Sequence, residues 1–354
     1  MDNKIKIRDY NNFLIIQTAF IGDIALALFF VSDIKKIHPK ANITFITTPI
    51  SADLVKCDSN INNVIIFDKR NLNKGIHGLK QTINEINANY NFDIIFSLHR
   101  SLRSTILAHN IKAKYKIGFN TSALSFLYNY KVKYIKSLNE INRNRQLLTT
   151  FNDILIDKNI INRPNILFTN NDIIKVNKLL YKTIDTNKKN IIIAIGSIWN
   201  TKRWNLNYFE ILIKKIINIG FNIILIGSKS EQKECIKLAN ITGAFSIAGK
   251  TSIPQTMYIL QKASLLITND SAPTHFASIM NIPTITIFGP TTPIFGFAPL
   301  AENSIVVEDK ELFCRPCSIH GSNKCPRKKL ECMTNITPDY IFNLVQNILL
   351  KIQC

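Results

Sequence analysis

The stretch from Leu265 to Pro290, LLITNDSAPTHFASIMNIPTITIFGP, decides how this chain reads. Residues 265–268 are apolar with a final threonine, which suits a strand buried on both faces. Asn269, Asp270 and Ser271 make a polar turn, residues 272–280 read as a helix, and residues 284–288 as a second buried strand that ends in Gly289-Pro290. An acid, a hydroxyl and unpaired backbone N–H groups therefore sit where a strand hands over to a helix. Open α/β sheets bind nucleotides at such places, and a helix N-terminus favours phosphate. His275, one turn into that helix, faces the same crevice.

The same alternation extends in both directions. Upstream lie a strand at 191–195, a helix at 207–219 closed by Gly220, a strand at 222–226, and helices at 230–240 and 253–262. The first half begins with a strand at 13–18, a turn at 19–22 and a helix at 23–38 stopped by Pro39. Strands at 42–47 and 63–67, a helix at 79–89 and a strand at 92–97 follow. Strands separated by helices of this length indicate βαβ units and parallel sheets. The pattern is less regular between 120 and 186, with a helix expected at 139–157 and residues 165–189 read as a domain end plus linker. After Leu300 the chain is loop-rich and cysteine-rich until an amphipathic helix at 339–352. The expected fold class is α/β, with two Rossmann-like doubly wound domains, 1–175 and 176–354, facing each other across a cleft. No short-period repeat is present, which argues against a solenoid.

Composition bounds the rest. A chain of 354 residues, 46% of them hydrophobic, can fill two cores. No apolar run reaches the roughly 18–20 residues that span a bilayer. The first apolar stretch, residues 13–16, lacks the length and flanks of a signal peptide, so a cytoplasmic protein is expected. The net charge of +20, from 44 Lys+Arg against 24 Asp+Glu, favours anionic partners such as nucleic acid, an acidic membrane surface or a phosphorylated substrate. A genome bias toward Ile, Asn and Lys codons would give a similar charge. No RNA-binding signature or basic tail accompanies it, so nucleic acid is not an expected partner. Seven cysteines, an odd number with no export signal, are expected to be reduced.

Several segments carry candidate chemistry. In TAFIGD (18–23), Gly22 permits a sharp turn close to a ligand and Asp23 stands at a helix start. Asp23 can serve as a general base, although alone the segment reads better as a helix cap, where the N-terminus would stabilise the carboxylate. In GSIWNTKRW (196–204), Lys202 and Arg203 lie beside Ser197 and Thr201, a cluster that suits a diphosphate without the spacing of a P-loop. Trp204 serves equally as a packing anchor. Glu231, after the 222–226 strand, stands where Rossmann-like folds hold ribose hydroxyls, or else is a surface first-turn acid. His99, Arg100 and Arg103 follow a first-domain strand and can meet an anionic acceptor or form a solvated loop. Cys314, Cys317, Cys325 and Cys332 give C-x2-C-x7-C-x6-C with His320 nearby. The second half lacks the pairing that makes zinc sites convincing, so reduced thiols are the preferred reading and zinc the alternative. No base is placed for a catalytic cysteine.

Together FIGD (20–23), TKRW (201–204), TNDSAPTH (268–275) followed by PTITIFGPT (283–291), and the tail CRPCSIHG (314–321) resemble glycosyltransferase family 9, the lipopolysaccharide heptosyltransferases, over about residues 12–350. The tail is similar to members labelled heptosyltransferase II. The resemblance implies a GT-B fold with a C-terminal helix that crosses back to the first domain. It implies an inverting transfer of L-glycero-D-manno-heptose from ADP-heptose to the lipopolysaccharide inner core, without catalytic metal or cofactor. The implied acceptor is a phosphorylated lipid A–core saccharide, and the implied location is the cytoplasmic face of the inner membrane, in peripheral contact with it. Asp23 matches the proposed base and Lys202 the lysine that meets the donor phosphates. Ser197 falls where a hydroxyl residue lies near those phosphates, Glu231 near the acid that holds the ribose, and Asp270, Ser271 and His275 in the donor-binding D-[ST]-G-x-x-H segment. The usual glycine of that segment is Ala272 here, and its methyl group is where donor position or sugar choice would change. Two rivals share the fold: a family member that transfers another sugar, and a nucleotide-sugar-binding protein without turnover, which would have no need of Asp23.

Overall fold

The long apolar runs of the sequence lie inside two parallel sheets. The computed structural model describes residues 5–155, 157–181 and 184–353, and the chain divides into two units, Met1–Leu167 and Phe168–Cys354.

In the first unit the strands are β1 (Asn12–Ile16), β2 (Asn42–Thr47), β3 (Asn63–Ile66), β4 (Phe92–Ser97), β5 (Ala113–Phe119) and β6 (Tyr130–Val132). They pair in parallel in the order β3-β2-β1-β4-β5-β6. Phe13, Leu14, Ile15 and Ile16 are all fully buried, as a central strand covered on both faces requires. The intervening helices are α1 (Ile21–Ile37), α2 (Ala52–Lys56), α3 (Gly75–Asn89) and α4 (Leu102–Asn110), followed by the short α5 (Glu140–Arg145). Helix α1 is apolar nearly all round, and its residues from Ile24 to Ile34 are buried. One of them is Asp33, whose carboxylate takes Arg145 of α5 at 2.6 and 2.8 Å and Asn162 at 2.8 Å.

The second unit opens with α6 (Asn170–Tyr181) and continues β7 (Asn190–Ala194), α7 (Leu206–Asn218), β8 (Asn222–Ile226), α8 (Gln232–Thr242), β9 (Phe245–Ser246), α9 (Ile253–Gln261), β10 (Ala263–Asn269), α10 (Ala272–Met280) and β11 (Thr284–Phe288). It closes with β12 (Ile305–Glu308), α11 (Glu331–Thr334) and α12 (Pro338–Gln353). The sheet order is β12-β11-β10-β7-β8-β9. Counted from its own first strand, this is the order of the first sheet again. In each unit the first strand lies between the second and the fourth, which is where strand order reverses and where such sheets bind ligands. Helix α12 completes the core of its own unit through Ile341, Val345, Ile348 and Leu349.

Three expectations need correction. The helix expected at 139–157 stops at Arg145 and continues only as a 3-10 turn over Gln146–Thr150. There the Thr149 hydroxyl donates to the Gln146 carbonyl at 2.7 Å and competes with the helical bond. The stretch read as linker contains α6, which starts on a cap: Thr169 Oγ1 accepts from the Asp172 amide at 3.1 Å. Helix α6 buries Val176 and Leu180, and its Asp172 accepts from Gln255 of α9 at 3.0 Å. The second unit thus begins at Phe168, where the sequence alone places the change near 176. Four strands, β5, β6, β9 and β12, and helices α2, α4 and α11 were not read from sequence. They are short, or, like Ala113–Phe119, carry lysines on an outer face.

Candidate active site

The central strands of the second unit, β7 and β10, deliver two loops side by side. The β7 loop carries Gly196, Ser197, Thr201 and Lys202, and the β10 loop carries Asp270 and Ser271. Asn269, at the end of β10, ties them together: its Nδ2 donates to the Ile195 carbonyl at 2.8 Å and its Oδ1 accepts from the Trp204 amide at 3.1 Å. Trp204 itself is buried and donates to the Ile336 carbonyl, so it is the packing anchor that sequence allowed for. Ser197 and Thr201 are buried, and Arg203 donates to the Ser197 carbonyl at 2.8 Å.

Lys202 Nζ lies 2.5 Å from Asp270 Oδ2, with only 12% and 8% of the two side chains exposed. The Thr291 hydroxyl donates to that same oxygen at 2.6 Å. Ser271 precedes α10 but does not cap it; its hydroxyl contacts Asn269 O and Thr268 Oγ1, both at 3.3 Å. The α10 N-terminus, with Ala272 as its first residue, has no side-chain cap; Pro273 brings no N–H and the Thr274 amide donates to the Ser271 carbonyl at 3.1 Å, so what suits an anion is the positive end of the helix dipole together with the Ala272 amide. His275 is buried behind it, and among the described residues its Nδ1 has no hydrogen-bond partner. Burial pushes its pKa down to about 4, outweighing the pull of Asp270, so the imidazole is neutral. Glu231 closes the other side of the β7 loop. Its Oε2 accepts from the Ser228 amide at 2.6 Å and hydroxyl at 2.9 Å, and its carboxylate fills the space beside Gly196.

The first unit repeats the arrangement at β1 and β4. Asp23 lies in the first turn of α1 with Gly22 before it. It is not the N-cap residue; Phe20 is. Burial pushes the Asp23 carboxyl up to about 7, with a further push from Glu140, against the opposing effect of nearby backbone N–H groups and Arg100. Desolvation therefore outweighs the helix-terminus effect that would weaken this base. After β4, His99 Nδ1 contacts the hydroxyls of Thr18 and Ser104, both at 3.0 Å. Burial, then Lys69 and Arg100, bring its pKa down to about 4, so His99 offers a hydrogen bond and no charge. The positive charge comes from Arg100, stacked 3.9 Å over Tyr134, and from Arg103, which donates to the Lys69 carbonyl at 2.9 Å. Lys69, which sequence did not single out, donates to the Thr18 carbonyl at 2.7 Å.

Cys314, Cys317, Cys325 and Cys332 carry free thiols. Among the described residues no three His, Cys, Asp or Glu side chains form a group that could hold a metal ion. The cysteine-rich segment is instead bound to the site. The Thr201 hydroxyl and amide both donate to the Ser322 carbonyl, at 2.8 and 3.1 Å, and the Gly321 backbone lies against Lys202. Asn269, Thr291 and Arg315 complete the site and were missed as site residues. A polar residue ending a buried strand was the available signal for Asn269. Thr291 and Arg315 lie inside the quoted segments PTITIFGPT and CRPCSIHG, but nothing in those segments singles out either side chain.

Among the described residues no helix is long and apolar enough to cross a membrane. Residues 79–327 match the model of glycosyltransferase family 9 (heptosyltransferase). The chain is 24% identical over 339 residues to lipooligosaccharide heptosyltransferase 2 of Campylobacter jejuni, covering 93% of this chain and 96% of that one. In structure it is similar to a family 9 glycosyltransferase of Veillonella parvula, with a TM-score of 0.86, 19% identity and coverage of 98% and 99%. The ADP-heptose lipopolysaccharide heptosyltransferase II of Escherichia coli gives a TM-score of 0.79 at 16% identity, covering 97% and 100%. Two Rossmann-like units of one strand order agree with the GT-B fold of these structures. The chain is a glycosyltransferase and belongs to family 9, the heptosyltransferase family.

Proposed function

We propose that this glycosyltransferase moves L-glycero-D-manno-heptose from ADP-heptose to a phosphorylated acceptor of the lipopolysaccharide inner core, with inversion at the anomeric carbon. The observation that carries the reading is the Lys202–Asp270 pair at the uncapped start of α10. A lysine, a helix N-terminus and buried hydroxyls form a cradle for a diphosphate. The Campylobacter jejuni relative, which matches 93% of this chain, is named for heptosyl transfer, and ADP-heptose appears in the name of the Escherichia coli structure.

In this mechanism the second unit holds the donor. Glu231 takes the ribose hydroxyls, the α10 N-terminus and Lys202 take the diphosphate, and Asp270, Ser271 and Ala272 lie toward the sugar with His275 behind them. The first unit holds the acceptor, with Arg100 and Arg103 on its phosphates and His99 supplying a hydrogen bond. Asp23 removes the proton of the acceptor hydroxyl as that oxygen attacks the anomeric carbon. A carboxylate of pKa about 7 keeps enough basicity for this task near neutral pH. Charge develops on the departing ADP, where Lys202 and the helix terminus stabilise it. A lipid-linked acceptor and a net charge of +20 favour peripheral contact with an anionic inner-membrane face.

The test is titration calorimetry with ADP, GDP and UDP, followed by turnover of ADP-heptose. The expected result is selective ADP binding, lost in Lys202→Ala and kept in Asp23→Ala, with turnover abolished in Asp23→Ala. Equal affinity for the three nucleotides overturns the donor assignment. Unchanged turnover of Asp23→Ala overturns the base assignment.

A further inference from the structure

The loop after β11 is held from behind with unusual completeness. The Arg315 side chain is largely enclosed, with 6% of it exposed. Its Nη2 donates to the Thr291 carbonyl at 2.7 Å, to the Phe288 carbonyl at 3.3 Å and to Glu308 Oε2 at 2.9 Å. Its Nη1 donates to the Asp309 carbonyl at 2.5 Å, and its Nε to the Gly289 carbonyl. The Cys317 amide donates to the Pro290 carbonyl at 2.9 Å. The backbone of 288–291 is thus fixed, and Thr291, only 2% exposed, presents its hydroxyl in one direction. That hydroxyl donates to Asp270 Oδ2 at 2.6 Å, the oxygen that pairs with Lys202.

An oxygen that accepts from a lysine and a hydroxyl at once has its position set from two sides. Without the hydroxyl, the Asp270 carboxylate is free to rotate and Lys202 loses its fixed partner. We propose that Thr291 is a positioning residue of the donor site: it touches no substrate, and it sets the Asp270 carboxylate and through it the Lys202 ammonium that meets the diphosphate. The second half of this statement rests on the donor reading given above; the first half concerns the protein alone.

The experiment compares Thr291→Val, which keeps the shape and removes the hydroxyl, with Thr291→Ser, which keeps the hydroxyl. Two quantities are measured on the full chain. The first is the rate at which acetic anhydride modifies Lys202, relative to the exposed lysines, read by mass spectrometry. The second is the Kd for ADP. A hydrogen bond to a charged acceptor corresponds to a factor of about 10 to 100. Thr291→Val is expected to speed Lys202 modification several-fold and to weaken ADP binding by about that factor, while Thr291→Ser stays within about threefold of the parent. A structural role alone would lower the melting temperature without singling out Lys202 among the lysines. A folded Thr291→Val with parental Lys202 reactivity overturns the proposal. If Lys202 responds but the parent protein does not bind ADP, positioning stands and the donor reading falls.

Discussion

The carboxylate of Glu231 occupies the space that a side chain at position 196 would need: a Cβ built on Gly196 would stand 1.5 Å from Glu231 Oε1. Glycine is required here by an acid that comes from the next strand's loop, and the two residues report on each other. Gly196→Ala should push the flexible end of Glu231 aside and break its bonds to Ser228. The stability cost is about 1 kcal/mol, since only exposed hydrogen bonds are lost. ADP affinity should fall to that of Glu231→Ala, and the double variant should be no worse than either single one. Calorimetry on the three variants checks this; parental affinity in Gly196→Ala would separate Glu231 from the ribose.

The raised Asp23 carboxyl has consequences for rate and for stability. As a base it must be ionised, so kcat/KM should fall about tenfold per pH unit below a midpoint near 7. For stability, a carboxyl raised from 3.8 to about 7 on folding holds a proton that the unfolded chain releases. Its favourable contribution is complete below the lower value and is lost as pH rises through the upper one. Asp23→Asn should therefore gain stability over the parent at pH 7.5 and not at pH 4. Urea titrations at the two pH values give the sign directly.

Asp33 and Arg145 form a bidentate pair in the core of the first unit, with side chains 6% and 3% exposed. Removing one partner strands a buried charge, which costs about 3–5 kcal/mol, whereas an apolar pair of similar volume is often neutral. Arg145→Met should destabilise strongly, and adding Asp33→Leu should recover much of the loss. Denaturant unfolding measures both. An Arg145→Met protein of parental stability would show that the pair contributes little.

The clustered thiols should differ in reactivity. Burial acts to raise the Cys325 thiol, but the backbone N–H groups of Leu330, Arg327, Lys329 and Lys328 together outweigh it and hold the thiol below the ordinary cysteine value. Burial pushes Cys332 up to about 11 and Cys235 up to about 12. Iodoacetamide at pH 7.5 should modify Cys325 well before either, as peptide mapping over time would reveal.

The sheets were legible in the sequence because their central strands are buried on both faces and appear as unbroken runs of Ile, Leu and Phe. Helix α10 and strand β11 fall on the expected residues, 272–280 and 284–288, because Asn281 takes a left-handed conformation that ends the helix sharply. Strand β5 (Ala113–Phe119), next to the edge strand β6, carries a mixed pattern that does not separate strand from loop. The two polar loops after β7 and β10 were each legible from sequence, but their adjacency comes from the strand order of the sheet. The tie from Arg315 through Thr291 to Asp270 was not. It joins residues 45 positions apart through one carbonyl and one hydroxyl, and no periodicity encodes it.

At the first position of α10 stands Ala272, where the family segment usually has glycine. Alanine explores far fewer backbone states than glycine when the chain is unfolded, an entropic stabilisation of about 0.4–1 kcal/mol at a compatible position. The same restriction stiffens the start of the helix while the protein is folded. A first turn stiffened in this way has less disorder to lose on meeting a ligand than a glycine would leave.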